Sequence, residues 1–193
     1  MIIDCHGHYT TAPDELGAYR DQQKADLEKN PLFQHEKGVV DISDDQLRES
    51  VEGAQLKLQK ERGTDRTIFS PRASWMGHHV GNESTSRFWT EHCNELIYRL
   101  TQLYPANFIG GCQLPQTPGA GLDSSVAELE RCVNEFDFVG FNLNLDPSGG
   151  HWDSPPLGDP YWYPIYEKMC ELDVPAMIHV SGCCNKAFHT TGS

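Results

Sequence analysis

The sequence predicts an α/β protein built from parallel βα units, and three observations carry that expectation. Five short apolar segments read as strands: Ile2 to His6, Thr67 to Pro71, Phe108 to Leu114, Phe138 to Leu145 and Pro175 to Ser181. Helical periodicities lie between them, so strand and helix alternate four times, at a spacing that right-handed parallel crossovers satisfy most economically. Polar side chains, three of them histidines, gather at the carboxyl ends of the first and last strands, where parallel sheets place their binding sites.

The elements can be justified in order. The first strand begins almost at Met1, without a basic or apolar leader, so no secretory signal is expected. Residues 9–42 are polar, with Pro13, Pro31 and many charges, and are expected to form a lid or irregular insertion within a single domain spanning 1–193. After Ser43, with Gln46 as its capping-box partner, Leu47, Val51, Ala54 and Leu58 line one helical face, and Gly63 ends the run. Phe88, His92, Leu96, Leu100 and Leu103 mark a second helix that stops before Pro105. Leu122, Val126, Leu129, Val133 and Phe136 mark a third, and Pro160 opens a fourth that ends near Leu172. An eight-unit barrel typically needs about 250 residues. This chain of 193 supplies five strands and then the polar tail Asn185 to Ser193, so a barrel would be only its N-terminal portion. The alternative is an open, doubly wound sheet of five strands, which length alone favours but which lacks a glycine-rich phosphate cradle in the first loop.

Composition narrows the function classes. With 38% hydrophobic and 22% charged residues the chain can bury a substantial core. A formal charge of -13 without any basic stripe argues against nucleic acid and anionic membranes as partners. An anionic substrate would have to be held by a metal and a few placed cations. No apolar run approaches the roughly 20 residues that span a bilayer. Seven scattered cysteines (Cys5, Cys93, Cys112, Cys132, Cys170, Cys183 and Cys184) read as reduced thiols of a cytoplasmic chain, and the adjacent pair lacks the CxxC spacing of a redox or zinc motif.

The residues with chemistry are few. In Asp4-Cys5-His6-Gly7-His8, strand alternation puts Asp4, His6 and His8 on one face, where two imidazoles can bind a divalent cation and Asp4 can orient a ligand from behind. A polar strand end facing water fits the same pattern. His179 lies on the last strand with Ser181, opposite Ile178 and Val180, so its imidazole faces the interior. Three histidines at strand ends match an open catalytic zinc site, whose free position holds water or substrate. Asn142 and Asn144 share the polar face of the fourth strand and suit carboxylates or a carbonyl, although a buried amide network is equally physical. Ser70 and Arg72 end the second strand, and the Arg72 guanidinium offers the planar fork that pairs with a carboxylate. His78, His79 and His151 fall in loops where histidines are mostly exposed, and Gly149-Gly150-His151 reads as a turn rather than a phosphate loop.

The stretches MIIDCHGHYT, KERGTDRTIFSPRAS, AELERCVNEF and YPIYEKMCELDVPAMIHVSG, in this order along essentially the whole chain, resemble the amidohydrolase superfamily, in its branch of decarboxylases and hydratases of ring-cleavage products. The resemblance implies a (β/α)8 TIM-barrel fold, here partial, and a cytoplasmic hydro-lyase of protocatechuate or gallate degradation. Such an enzyme adds water to a small unsaturated oxo-tricarboxylate. It further implies zinc on His6, His8 and His179, with Arg72, Ser70, Asn142, Asn144 and Ser181 toward the substrate. An acidic base and further metal-site residues would lie on strands beyond residue 193, so the resemblance assigns no general base within the chain. A metal-dependent decarboxylase of the same branch and an inactive metal-binding remnant stay open, as does a homo-oligomer formed through open strand edges.

Overall fold

The computed structural model describes residues 1–72 and 76–180. Six strands run parallel: β1 (Ile3–Tyr9), β2 (Arg66–Pro71), β3 (Phe108–Gly110), β4 (Cys112–Gln113), β5 (Phe141–Asn144) and β6 (Ala176–His179). They pair as β1-β2-β3 and β4-β5-β6. The expected third strand is thus divided at Gly111, which passes the ladder from one sheet to the next. Gly111 donates its N–H to the Phe69 carbonyl (2.9 Å), and Val139 donates to the Gly110 carbonyl (3.0 Å). Glycine is needed at position 110 because a Cβ there would stand 2.2 Å from the ring of Phe138.

The strands therefore follow one another in chain order, with no reversal. An open doubly wound sheet places its first strand inside the sheet and changes direction at a switch point. Here β1 is terminal, and sequential order is the pattern of a barrel wall.

The helices are α1 (Asp14–Lys29), α2 (Asp44–Val51), α3 (Lys57–Arg62), α4 (Glu83–Leu103), α5 (Asp123–Phe136) and α6 (Tyr163–Leu172). The expected capping box is present at Ser43 and Gln46, and Gly63 ends α3 in the left-handed conformation at φ 68°. Between α2 and α3 the helix makes a π turn over Glu52–Leu56. Its extra residue rotates the later face: Leu47 and Val51 are buried as expected, but Leu58 is exposed and Gln59 is buried in its place.

Helix α1 departs from the expected irregular insertion. Its buried residues are Leu16, Arg20 and Gln23, so two of its three inward positions are polar and the apolar period that announces a helix is missing. Among the described residues no helix is long and apolar enough to cross a membrane. The main core lies between the strands and α2, α4 and α5. There Phe69 stacks on Phe108 with ring centroids 4.4 Å apart, and Leu47, Ile97, Leu100 and Leu129 are fully buried.

Candidate metal centre

Strand β1 extends past His6 to Tyr9, and its pairing with β2 is not regular. Asp4 pairs with Thr67 but Gly7 pairs with Phe69, so three steps on β1 match two on β2. This bulge reverses the alternation. Thr67 and Phe69 face the helices, since Gln59 Nε2 donates to Thr67 Oγ1 (2.7 Å) and Phe69 lies in the core. Asp4 and Gly7 follow their partners to that side, while His8 pairs with Ser70 on the interior side. Asp4 therefore does not share the histidine face, as simple alternation predicted. Its carboxylate instead accepts the backbone N–H of His6 at 3.0 Å and holds the bulge.

Gly7 is the second condition for this geometry. A Cβ at Gly7 would stand 2.2 Å from Thr67 Cγ2 and 3.3 Å from the Ile68 carbonyl. Only glycine lets β1 lie this close to β2 while the flanking histidines turn inward.

His179 closes the group from β6, where it pairs with Asn144. His8 Nε2 lies 2.8 Å from His6 Nε2 and 2.9 Å from His179 Nε2, and the three ligand atoms all fall within 4.8 Å of one another. The rings meet edge to face, with centroids 4.7 to 5.0 Å apart. The tautomer of His8 follows from its other nitrogen. Nδ1 is 2.9 Å from the Pro71 carbonyl, which can only accept, so Nδ1 carries the proton and Nε2 presents its lone pair. Burial, above all, pushes His8 down to about 4, against the opposing pull of the Pro71 carbonyl and with help from the His179 and His6 charges. Burial, and then His6, likewise lower His179. Burial thus disfavours the cationic forms of His8 and His179, and the three Nε2 atoms gather in one place, the kind of donor set a divalent cation requires.

Ser70 and Asn142 join the support of His8. The Ser70 hydroxyl donates to the Gly7 carbonyl (3.0 Å), accepts from Asn142 Nδ2 (3.0 Å) and lies 2.9 Å from His8 Nδ1. With His6 they line a cavity of about 380 Å³ whose other walls include Ile68, Phe141 and Met177. Asn144 stands beside His179 but is engaged elsewhere. It accepts the Asp146 N–H on Oδ1 (3.1 Å), and its backbone exchanges two bonds with the Gln116 amide (2.8 and 3.0 Å). Arg72 follows the end of β2 and lines a small crevice with Tyr9, Leu16, Cys93 and Leu96 rather than the histidine cavity. Ser181, with Cys183 and Cys184, lies outside the described residues. The five described cysteines are free thiols.

Two buried charged residues in or against the loops after β2 and β5 are not singled out by the sequence. Arg20 donates Nη2 to the Gly77 carbonyl (2.8 Å) and so ties α1 to the loop after β2. Asp146 is buried and accepts the backbone N–H groups of Ser148 (3.1 Å), Gly150 (2.8 Å) and Trp152 (3.3 Å). The run Asp146-Pro147-Ser148-Gly149-Gly150 does carry an Asx-turn signature that could have revealed this loop. Nothing comparable marks Arg20.

The chain is similar to several known proteins. A family model described as Amidohydrolase matches residues 3–192. The 2-keto-4-carboxy-3-hexenedioate hydratase of Sphingobium sp. strain SYK-6 is 58% identical over 193 residues, covering 100% of this chain and 56% of the relative. The crystal structure of 4-oxalomesaconate hydratase from Rhodopseudomonas palustris matches with a TM-score of 0.84 and 54% identity, over 93% of this chain and 52% of that one. A dihydroxybenzoic acid decarboxylase from Polaromonas sp. JS666, crystallised with bound manganese and an inhibitor, shares the fold. Its TM-score is 0.57 at 20% identity, over 93% of this chain and 48% of that one. The chain spans about half the length of these relatives.

Proposed function

Because the chain belongs to the amidohydrolase family, we propose that it carries the metal-holding part of a zinc-dependent hydratase. The reaction adds water across the carbon–carbon double bond of 4-oxalomesaconate to give 4-carboxy-4-hydroxy-2-oxoadipate, in cytoplasmic protocatechuate or gallate breakdown. The observation that carries this reading is the convergence of the His6, His8 and His179 Nε2 atoms on one point. The two hydratases most like this chain support the reaction class.

His6, His8 and His179 would hold the cation. When bound, it supplies Lewis-acid stabilisation of the negative charge that develops on the substrate oxygens during hydration. The protein's own contribution is positional. The Pro71 carbonyl and Ser70 fix the His8 ring, and Asp4 and Gly7 fix the bulge that turns His6 and His8 toward the same point. Ser70 and Asn142 present polar groups in an otherwise largely apolar cavity, where hydrogen bonds to a carbonyl or carboxylate are worth more than in water. Of the other expected contacts this reading keeps Ser181 for the substrate, whereas Arg72 lines the crevice with Tyr9 and Leu96 and Asn144 bonds Asp146 and Gln116, so neither is assigned to it.

The test is hydration of 4-oxalomesaconate by the 193-residue chain with zinc supplied, beside the His6→Ala and His179→Ala variants. Hydrated product that both substitutions abolish is the expected result. Carbon dioxide release without hydrated product would assign the chain to the decarboxylases instead, and a folded, zinc-loaded chain without turnover would overturn the reading of this chain as an enzyme.

A further inference from the structure

A substrate with three carboxylates needs cationic groups that a chain of charge -13 does not offer over its general surface. Apart from the metal centre, basic groups meet at the junction of the loop after β2 with the loop after β5. The ring of His79 lies on the backbone of Gly149, where a Cβ would stand 2.5 Å from His79 Nδ1 and Cε1. Gly149 is left-handed at φ 75°, so glycine is required there twice over. Arg20 approaches the same loop from α1. Its Nη2 bonds the Gly77 carbonyl (2.8 Å), its Nη1 bonds Gln23 Oε1 (3.1 Å), and its guanidinium lies 4.9 Å from the Trp89 ring centroid. Arg20 is buried, and no carboxylate among the described residues forms an ion pair with it.

The nearby acid, Asp146, is already engaged by the N–H groups of Ser148, Gly150 and Trp152 and by the Ser148 hydroxyl. It thereby fixes the loop that presents His151. His79 and His151 both remain exposed. Partial desolvation, then the charges of His151 and Arg20, disfavour the protonated form of His79, with Asp146 pulling weakly the other way. Both loops leave their strands at the metal centre. Pro71, at the end of β2, bonds His8, and Asn144, the register partner of His179, precedes Asp146 by two residues.

From this juxtaposition we infer that His79 and His151 form a carboxylate subsite at the mouth of the site, which takes a substrate carboxylate remote from the metal. Arg20 and Asp146 are positioning residues, one for each loop. The inference rests on the proposed hydratase reading for its substrate, but its chemistry is that of any polycarboxylate: an anion between two imidazoles relieves their mutual repulsion and favours their protonation.

The experiment uses the zinc-loaded chain and tricarballylate, a saturated tricarboxylate, as probe. Imidazole proton resonances are followed by NMR against pH, and the affinity is measured by calorimetry. Saturating tricarballylate is expected to raise the titration midpoints of His79 and His151. His79→Gln and His151→Gln should each weaken binding about tenfold, while Arg20→Lys, which keeps the charge, should retain most of it. With 4-oxalomesaconate the same glutamine variants should raise KM with little change in kcat. Unchanged affinity in the doubly substituted chain, or midpoints that ignore the probe, would overturn the subsite. Probe binding that depends on both histidines, in a chain that does not hydrate 4-oxalomesaconate, would sustain the subsite and remove the hydratase reading. Hydration with an unaltered KM in the double variant would do the reverse.

Discussion

Replacing Gly7 by alanine tests whether the proposed metal centre depends on the close approach of β1 to β2. The added Cβ would lie 2.2 Å from Thr67 Cγ2 and 3.4 Å from Phe69 Cδ2. Carbon atoms rest about 3.5 to 4.0 Å apart, so more than an ångström must be found. Thr67 cannot simply rotate away, because its hydroxyl holds the Gln59 amide at 2.7 Å in a buried position. Either that bond is lost, at about 1 kcal/mol or more, or β1 shifts and carries His6 and His8 with it. Overpacking of this kind costs about 1–3 kcal/mol, and disturbing the support of a metal ligand typically costs 10- to 100-fold in affinity. Gly7→Ala should therefore lower thermal stability by about 2–4 kcal/mol and weaken zinc binding at least tenfold, read by thermal melting and by competition with a chromophoric chelator. Thr67→Ser removes the offending methyl but keeps the hydroxyl for Gln59, so Gly7→Ala combined with Thr67→Ser should recover most of both losses. Wild-type zinc affinity in Gly7→Ala alone, or no recovery in the double variant, would refute the steric account.

Three further outcomes are expected. His78 is fully buried, with Nδ1 2.9 Å from Ser86 Oγ, and burial followed by the Arg20 and His79 charges pushes it down to about 3. The unfolded chain binds this proton near pH 6.5 and the folded chain does not, so stability is complete above pH 6.5 and falls as pH drops toward 3, by a few kcal/mol over the window; denaturant melts of His78→Gln should show a flatter acid limb than the wild type. Ser70→Ala strands the Gly7 carbonyl and the buried Asn142 amide. It should cost about 2–4 kcal/mol and weaken zinc binding, measured by the same melts and chelator competition. Asp4→Asn keeps an acceptor for the His6 N–H and should bind zinc nearly as wild type, whereas Asp4→Ala should lose several-fold in the chelator assay and about 1 kcal/mol in stability.

What was legible in the sequence was whatever obeys a period. The strand segments, the capping box, α4 and α5 and the inward turn of His179 all follow from alternation or from helical spacing, and the structure shows them. What was not legible breaks a period. Helix α1 buries Arg20 and Gln23 where an amphipathic helix buries leucines, because these side chains bond the Gly77 and Thr85 carbonyls (2.8 and 3.2 Å) instead of filling apolar space. The π turn displaces the buried face by one residue, so Leu58 was assigned inward and stands exposed. The division of the third strand has no hydrophobic signature, only the adjacent glycines Gly110 and Gly111.

The histidine motif shows how an expected gathering of imidazoles can come about by a geometry other than simple alternation. Strict alternation puts Asp4, His6 and His8 on one face and makes Asp4 a partner of an imidazole. In the structure the bulge takes Asp4 out of that set, and the carboxylate is needed for the bulge itself. The extra residue puts Asp4 and Gly7 on the helix side and His8 on the Ser70 side of β2, where its Nε2 lies 2.8 Å from that of His6. Four neighbouring residues thus make both the defect and the site: Asp4 holds the kink, Gly7 admits it, and His6 and His8 are aimed by it. The proposed metal centre is specified by backbone chemistry as much as by its histidines, so exchanging a histidine tests only half of it.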